Sequence, residues 1–355
     1  MFTDTYMTAK LRLVDIAKKA NVSLGTVDRV VNKRGKVAPE TEKKILEIMN
    51  EFDYQPNLMA SSLASRKKTL FAVLVPKPQG EDYWHKILTG IRNAEKAFKE
   101  YGIKVSEFLF DQDDDIQFTE LAVKMLESKC DGVVIAPVFN KEAKVFVRDL
   151  DKKNIPYVFI DSGIEGTHPL CSISLNDFQS GVLAAKLLNY SLPVEDEILS
   201  VSNLKYADHF DLIQERSNGF KSFFAGSNMS KRVIHSIEIV NPKYENLAAL
   251  LNQKLEQLPR IKGIFIDKSK AHWVARYLNE NNISTIRLVG FDLIEQNIRY
   301  LQNGTIDFIL FDYAENQGEQ GLQILFDSVV KKKATSQRIN MPIHIVTREN
   351  LDGFI

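Results

Sequence analysis

The sequence predicts a small all-α head carrying a helix-turn-helix, followed by an α/β body of two lobes with doubly wound parallel sheets. Three observations predict it. Residues 10–56 hold three short helical patterns, the first two separated by the tight break Asn21-Val22-Ser23. From Thr69 onward, strand-like apolar runs alternate with amphipathic helical runs, the order that builds parallel sheets with helices on both faces. The chain of 355 residues is too long for one ordinary core, and its alternation falls into two series, the second starting near Cys171.

In the head, Leu13, Ile16, Ala17 and Ala20 recur at helical spacing until Asn21 interrupts them. Ser23 is placed to cap the next helix, whose inner face is Val27, Val30 and Val31. Residues 32–35 end it. A third helix starts near Pro39, with Glu40 and Glu42 close to its positive end and Ile45, Ile48, Met49 and Phe52 along one stripe. On the second helix Leu24, Gly25, Asp28 and Arg29 point away from the apolar stripe, as in a helix presented to a major groove or in a solvated helical hairpin. Residues 54–68, "YQPNLMASSLASRKK", form a short apolar helical pattern flanked by base that is too short to be stable alone in water.

In the body, "LFAVLVP", "IKVSEFLF", "CDGVVIAPV" and "IPYVFID" read as strands between helical runs, and "EILSVSN", "HSIEIV", "GIFID", "IRLVGFD" and "IDFILFD" repeat the alternation. Two doubly wound lobes of this size predict a clamshell with a ligand at the strand ends between them.

Composition sets the class. Hydrophobic residues are 44% and charged residues 26% of a chain whose formal net charge is zero, the profile of a soluble globular protein. The zero conceals an asymmetry: residues 1–69 carry 13 Lys and Arg against 8 Asp and Glu, a basic head on an acidic body. No run approaches the roughly 18 to 20 apolar residues of a membrane span, and the first residues lack a signal-peptide layout. Cytoplasmic localisation and no membrane partner are expected. Two cysteines supply neither a disulfide framework nor metal-ligand spacing. "DQDDDI" (111–116) lacks the glycine and glutamate of a calcium loop and reads as a strand end and helix cap. No catalytic constellation, cofactor or metal is expected.

Taken in order, "LVDIAKKANVSLGTVDRVVN", "VAPETEKKILEIMNEFDYQPN" and "MASSLASRK" resemble the DNA-binding headpiece of the lac-repressor/galactose-repressor family. The resemblance implies a two-fold homodimer on a pseudo-palindromic DNA operator. It places Ser23, Leu24, Gly25, Thr26, Asp28, Arg29 and Asn32 on the DNA side of the head. It also makes residues 57–65 a hinge helix formed on DNA, with Asn57, Ala60, Leu63 and Ala64 at the minor groove and Leu63 as the wedge. Asp28 departs from the Ser or Thr common there, so it is expected to accept from a cytosine amino group or to pair with Arg29 or a neighbouring lysine. Leu24 and Gly25 cannot hydrogen-bond a base through their side chains, which leaves Arg29 and shape readout to carry specificity.

The body resembles periplasmic sugar-binding proteins and the effector domains of the same family, most specifically through "VGFD" (289–292), "NG" before Ile306 and "ENQGEQGLQIL" (315–325). This implies a small carbohydrate effector, with Tyr83 and Trp84 stacking on the sugar and Asp161, Asp177, Arg216, Lys268, Asp292 and Asp312 hydrogen-bonding it. For each Asp the alternative is a helix cap or turn. Lys268 and Asp312 either pair with each other, or Arg216 and Lys268 together favour an acidic sugar or sugar phosphate. The expected organisation is a disordered tail (1–9), a head (10–56), a hinge (57–69), an N-lobe (70–163 and 313–338) and a C-lobe (164–312 and 339–355). A sugar carrier or a carbohydrate-acting enzyme on the same clamshell is the rival reading.

Overall fold

The computed structural model describes residues 12–31, 35–52, 54, 68–80, 82–203, 210–226, 232–239 and 243–355. The chain divides into two compact units, a head up to Lys67 and a body from Lys68.

The head contains α1 (Leu13–Ala20), α2 (Leu24–Val31) and α3 (Pro39–Glu51). The turn between α1 and α2 is built on Asn21, whose left-handed backbone (φ 57°) lets the Val22 N–H return to the Ala17 carbonyl at 3.0 Å. Asn tolerates that conformation better than most side chains. Ile16, Ala17, Ala20, Val27, Val30 and Ile45 form the core, bringing one apolar stripe from each helix together.

The body holds two six-stranded sheets. The first runs β11-β5-β4-β3-β1-β2, from β1 (Thr69–Pro76), β2 (Ile103–Phe110), β3 (Gly132–Ile135), β4 (Tyr157–Asp161), β5 (Cys171–Leu175) and β11 (Arg338–Met341), all paired parallel. The second runs β12-β10-β9-β8-β6-β7, from β6 (Glu197–Asn203), β7 (Ile234–Ile239), β8 (Ile261–Ile266), β9 (Arg287–Phe291), β10 (Phe308–Phe311) and β12 (His344–Val346). Strand orders match one for one; only β12 is antiparallel to its neighbour. The helices that position the site are α4 (Tyr83–Phe98), α5 (Asp115–Glu127), α6 (Asn140–Lys152), α7 (Asp177–Ser191), α8 (Phe210–Gly226), α9 (Tyr244–Gln257), α10 (Ala271–Glu280), α11 (Glu295–Gln302) and α12 (Ala314–Leu325).

Two expected boundaries are corrected. Cys171–Leu175 does not open the second lobe: it pairs with β4 in the first sheet, so the chain leaves that lobe after Leu175 and not near Gly163. Residues 339–341 likewise belong to β11 of the first sheet, so the last passage falls between Met341 and His344. A short strand of a parallel sheet carries the same residue pattern whichever lobe receives it, which is why the sequence misplaced both.

Candidate functional sites

On the head, Ser23 caps α2: the Thr26 N–H donates to its Oγ at 3.2 Å, and the Ser23 and Thr26 hydroxyls lie 2.9 Å apart. Ser23, Leu24, Gly25 and Arg29 are exposed, Thr26 and Asp28 half-buried, and Leu24 keeps 48% of its surface. Val27 and Val30 face inward. An exposed leucine beside a glycine gives the start of α2 a low surface, suited to close backbone approach and to contact with a thymine methyl. Asn32, Asn57, Ala60, Leu63 and Ala64, and with them the hinge and the N-terminal tail, lie outside the described residues.

In the body the chemistry collects at the carboxyl ends of strands. After β1, Asp82 caps α4 by accepting the His85 N–H at 3.0 Å, which sets Tyr83 at the first helical position. Asp161 ends β4 and Asp292 follows β9, the equivalent strand of the other lobe, and both have left-handed backbones (φ 69° and 68°). Asp312 follows β10, and Asp267 and Lys268 follow β8. Of the alternative reading as cap or turn, the cap half is not found, since Asn176 caps α7 by accepting the Gln179 N–H and Ile294 and Tyr313 precede α11 and α12; the turn half holds at Asp161 and Asp292.

Gln317, on α12 and 1% exposed, knits the first lobe to the crossover. Its Oε1 accepts the Asp161 N–H at 2.8 Å; its Nε2 donates to the Tyr83 hydroxyl at 3.0 Å and to Asp312 Oδ2. Burial pushes the Tyr83 hydroxyl up, reinforced by the charges of Asp161, Asp312 and Asp292. Across the site, Arg216 on α8 donates through Nε and Nη2 to Asp177 Oδ1 and through Nη1 to the Asp267 carbonyl at 2.8 Å, while its guanidinium lies 3.8 Å from the Phe291 ring centre. Asn297, fully buried on α11, fixes the turn at Asp292 by donating to the Phe291 and Asp292 carbonyls, both at 2.9 Å. Lys86 on α4 reaches over to donate to the Leu293 carbonyl at 2.7 Å.

Electrostatics follow from this crowding. Burial pushes Asp161 up to about 6, reinforced by Asp177 and opposed by Tyr83, Lys268 and Arg216. Burial pushes Asp312 up to about 7, with Asp292 and Asp161 adding repulsion. Asp292 is raised by burial despite Arg216 and Lys268. Burial alone would lower Arg216, but Asp177, Asp292 and Asp267 outweigh it and hold the guanidinium charged.

Three sequence expectations change. Trp84 is buried, 7% exposed, edge-on to Tyr83 at 5.1 Å; the cavity beside Tyr83 takes in Lys86, Asp292, Asp312 and Phe354, and neither Trp84 nor Asp161, Asp177, Arg216 or Lys268 lines it. Asp312 is bonded to Gln317, while the Lys268 charge acts on Asp161 and Asp292, so the expected Lys268–Asp312 pair is replaced by a different partnering. Arg216 is already neutralised by Asp177, which removes the anion-binding pair expected of Arg216 and Lys268. Sequence reasoning missed Gln317, Asp267, Phe291, Lys86 and Asn297 as site residues. "ENQGEQGLQIL" drew attention as a motif, but nothing in it marks Gln317 as the buried one.

A three-helix head of this design, followed by a two-lobed body with polar groups at facing strand ends, defines a class: a nucleic-acid reader fused to a small-molecule receptor. Residues 12–57 match the family described as bacterial regulatory proteins, lacI family, and residues 71–333 match the periplasmic binding protein domain. The chain belongs to the periplasmic binding protein domain family and carries a lacI-family DNA-binding head, the organisation of a DNA-binding transcriptional regulator. It is 25% identical over 346 residues to the ribose operon repressor of Halalkalibacterium halodurans, covering 96% of each chain. It is 31% identical over 176 residues to catabolite control protein A of Priestia megaterium, half of this chain and 51% of that one. A crystal structure from Bacteroides fragilis, described as a LacI transcriptional regulator, matches at a TM-score of 0.75 and 27% identity over 81% of this chain and all of the other.

Proposed function

We propose that this regulator binds a pseudo-palindromic operator as a homodimer and responds to a small carbohydrate held between the lobes of its body, without turning it over. The observation that carries the effector reading is the convergence of Tyr83, Asp161, Gln317 and Asp312 from one side with Asp177, Arg216, Lys268 and Asp292 from the other. Carboxylates and amides of this kind accept and donate to the ring of hydroxyls that a sugar presents, and Tyr83 supplies an aromatic edge. The full-length similarity to a ribose operon repressor supports a sugar as the effector class. Closure around a ligand shifts the population of the DNA-competent state only through contacts that differ between the two states, and this site draws on both lobes.

The test pairs two variants with operator binding measured in the presence and absence of a sugar panel. Arg216→Ala should abolish the ligand response and leave operator affinity in place; a surviving response would remove the inter-lobe site. Arg29→Ala should relax base preference by about 1–3 kcal/mol at the positions it reads. Unchanged selectivity would take Arg29 off the reading face.

A further inference from the structure

This inference rests on the inter-lobe effector site proposed above and concerns how its two lobes are held together. Lys86 stands on α4 of the first lobe, and its ammonium donates to the Leu293 carbonyl of the second at 2.7 Å, a bond between residues 207 positions apart.

Both ends of that bond are fixed by their own lobes. On the donor side, Asp82 caps α4, and Asn93 of α4 donates to Glu315 of α12 at 2.9 Å. Gly90 and Gly318 bring the same two helices backbone to backbone. On the acceptor side, the turn after β9 commits its carbonyls in order. Those of Phe291 and Asp292 accept from Asn297 of the same lobe, and the Ile294 N–H also returns to the Asp292 carbonyl at 2.9 Å. The next carbonyl, that of Leu293, is the one given to the other lobe. The side chains of Leu293 and Ile294 are buried, which anchors the turn.

The contact borders a cavity that both lobes line, with Tyr83, Lys86 and Glu315 on one side and Asp292, Leu293 and Ile294 on the other. Lys86 is half-buried there, and a charged donor on a partly desolvated carbonyl is among the stronger hydrogen bonds. Parting the lobes returns both groups to water, so the bond contributes to the closed arrangement alone. We propose that Lys86 is a clasp between the lobes, a positioning residue that favours the closed clamshell. It thereby sets the fraction of the protein competent to hold an effector, and apparent affinity scales with that fraction.

The experiment measures lobe separation in the full chain by double electron–electron resonance. Cys130 and Cys171 are both buried, so spin labels go to cysteines introduced at two exposed positions, Asp115→Cys and Glu245→Cys. These follow β2 and β7, the edges of the two sheets farthest from the crossovers, where opening moves the lobes most. Labelled chains are diluted into unlabelled ones so that only distances within one chain are read. Lys86→Met keeps the stem and removes the donor. It should lower the closed-to-open ratio about ten-fold, a difference of about 1.4 kcal/mol, read as a longer and broader distance distribution. Lys86→Arg keeps a charged donor and should restore the short distance, and thermal unfolding checks that both variants are folded. A Lys86→Met distribution that matches the parent would overturn the clasp. So would a Lys86→Arg chain as open as Lys86→Met, since the stem and not the donor would then be at work. The measurement needs no effector, so an unchanged distance discards the clasp and leaves the effector site standing. A ligand response that survives Arg216→Ala does the reverse.

Discussion

Asp161 and Asp292 occupy the same place in two lobes: each follows the fourth strand of its sheet, and each holds a positive φ that side chains other than Gly, Asn and Asp rarely adopt. Asn297 secures one copy by accepting the His272 N–H at 2.8 Å while donating to the Phe291, Asp292 and Ser269 carbonyls. Burial holds the neighbouring His272 ring down at about 4, so it stays neutral beside that amide. The other copy is secured by Gln317 on the Asp161 N–H. At this scale the titrations give a prediction with a definite sign. Asp161 and Asp312 have folded values of about 6 and about 7, above the ordinary carboxylate. The native state therefore binds more protons than the unfolded chain between about pH 4 and pH 7. Their contribution to stability is fully present below the unfolded value and is lost as pH rises through the folded ones. Asp312→Asn should flatten the fall of denaturation midpoint between pH 5 and 8; an unchanged slope would place the repulsion elsewhere.

The elements that carry these residues are joined in pairs by glycine. In the second lobe α7 and α8 meet at Gly181 and Gly219, where an added Cβ would lie 1.9 Å from the Arg216 and Phe178 carbonyl oxygens. In the first lobe α4 and α12 meet at Gly90 and Gly318, with the same close approach to Glu315 and Ile87. Each pair brings a site residue from one helix beside one from the other: Asp177 with Arg216, and Tyr83 with Gln317. Gly181→Ala must separate two backbones. It should cost about 1–3 kcal/mol or more by overpacking and should break the Arg216–Asp177 geometry with it. Denaturant unfolding reads the first effect and ligand titration the second. A stable variant that still binds ligand would show that the helices can slide apart without consequence.

At the scale of the whole molecule, charge is divided by task. The chain is neutral, yet its first 69 residues carry an excess of base and the remainder an equal excess of acid. Association with DNA is governed by the local excess and by the phosphates it contacts, not by the sum. Operator affinity should fall linearly in log–log form with salt, with a slope set by the number of phosphate contacts, while effector affinity for a neutral sugar stays nearly flat. Fluorescence anisotropy across salt concentrations separates the two; a salt-insensitive operator affinity would deny phosphate contacts a leading role.

The amino-acid order alone determined the three-helix head, the αβ alternation and the residue types at the strand ends, because helical and strand periodicity are local properties of the chain. The head stripe Ile16, Ala17, Ala20, Val27 and Val30 is such a case; Tyr83, Asp161, Asp177, Arg216, Lys268, Asp292 and Asp312 were legible only through the resemblance to sugar-binding proteins, and the fold sets each on or just after its strand or helix. Tertiary structure decided what periodicity cannot carry. It assigned Cys171–Leu175 and Arg338–Met341 to the first sheet, because strand pairing is a long-range choice between two sheets of similar composition. It turned Trp84 into the core and brought Gln317 beneath Tyr83. It also joined Arg216 to Asp177, 39 residues away, so a charge that reads from sequence as an anion receptor is spent inside the protein. Partnership of charges depends on which helices touch backbone to backbone, and only the folded chain holds that information.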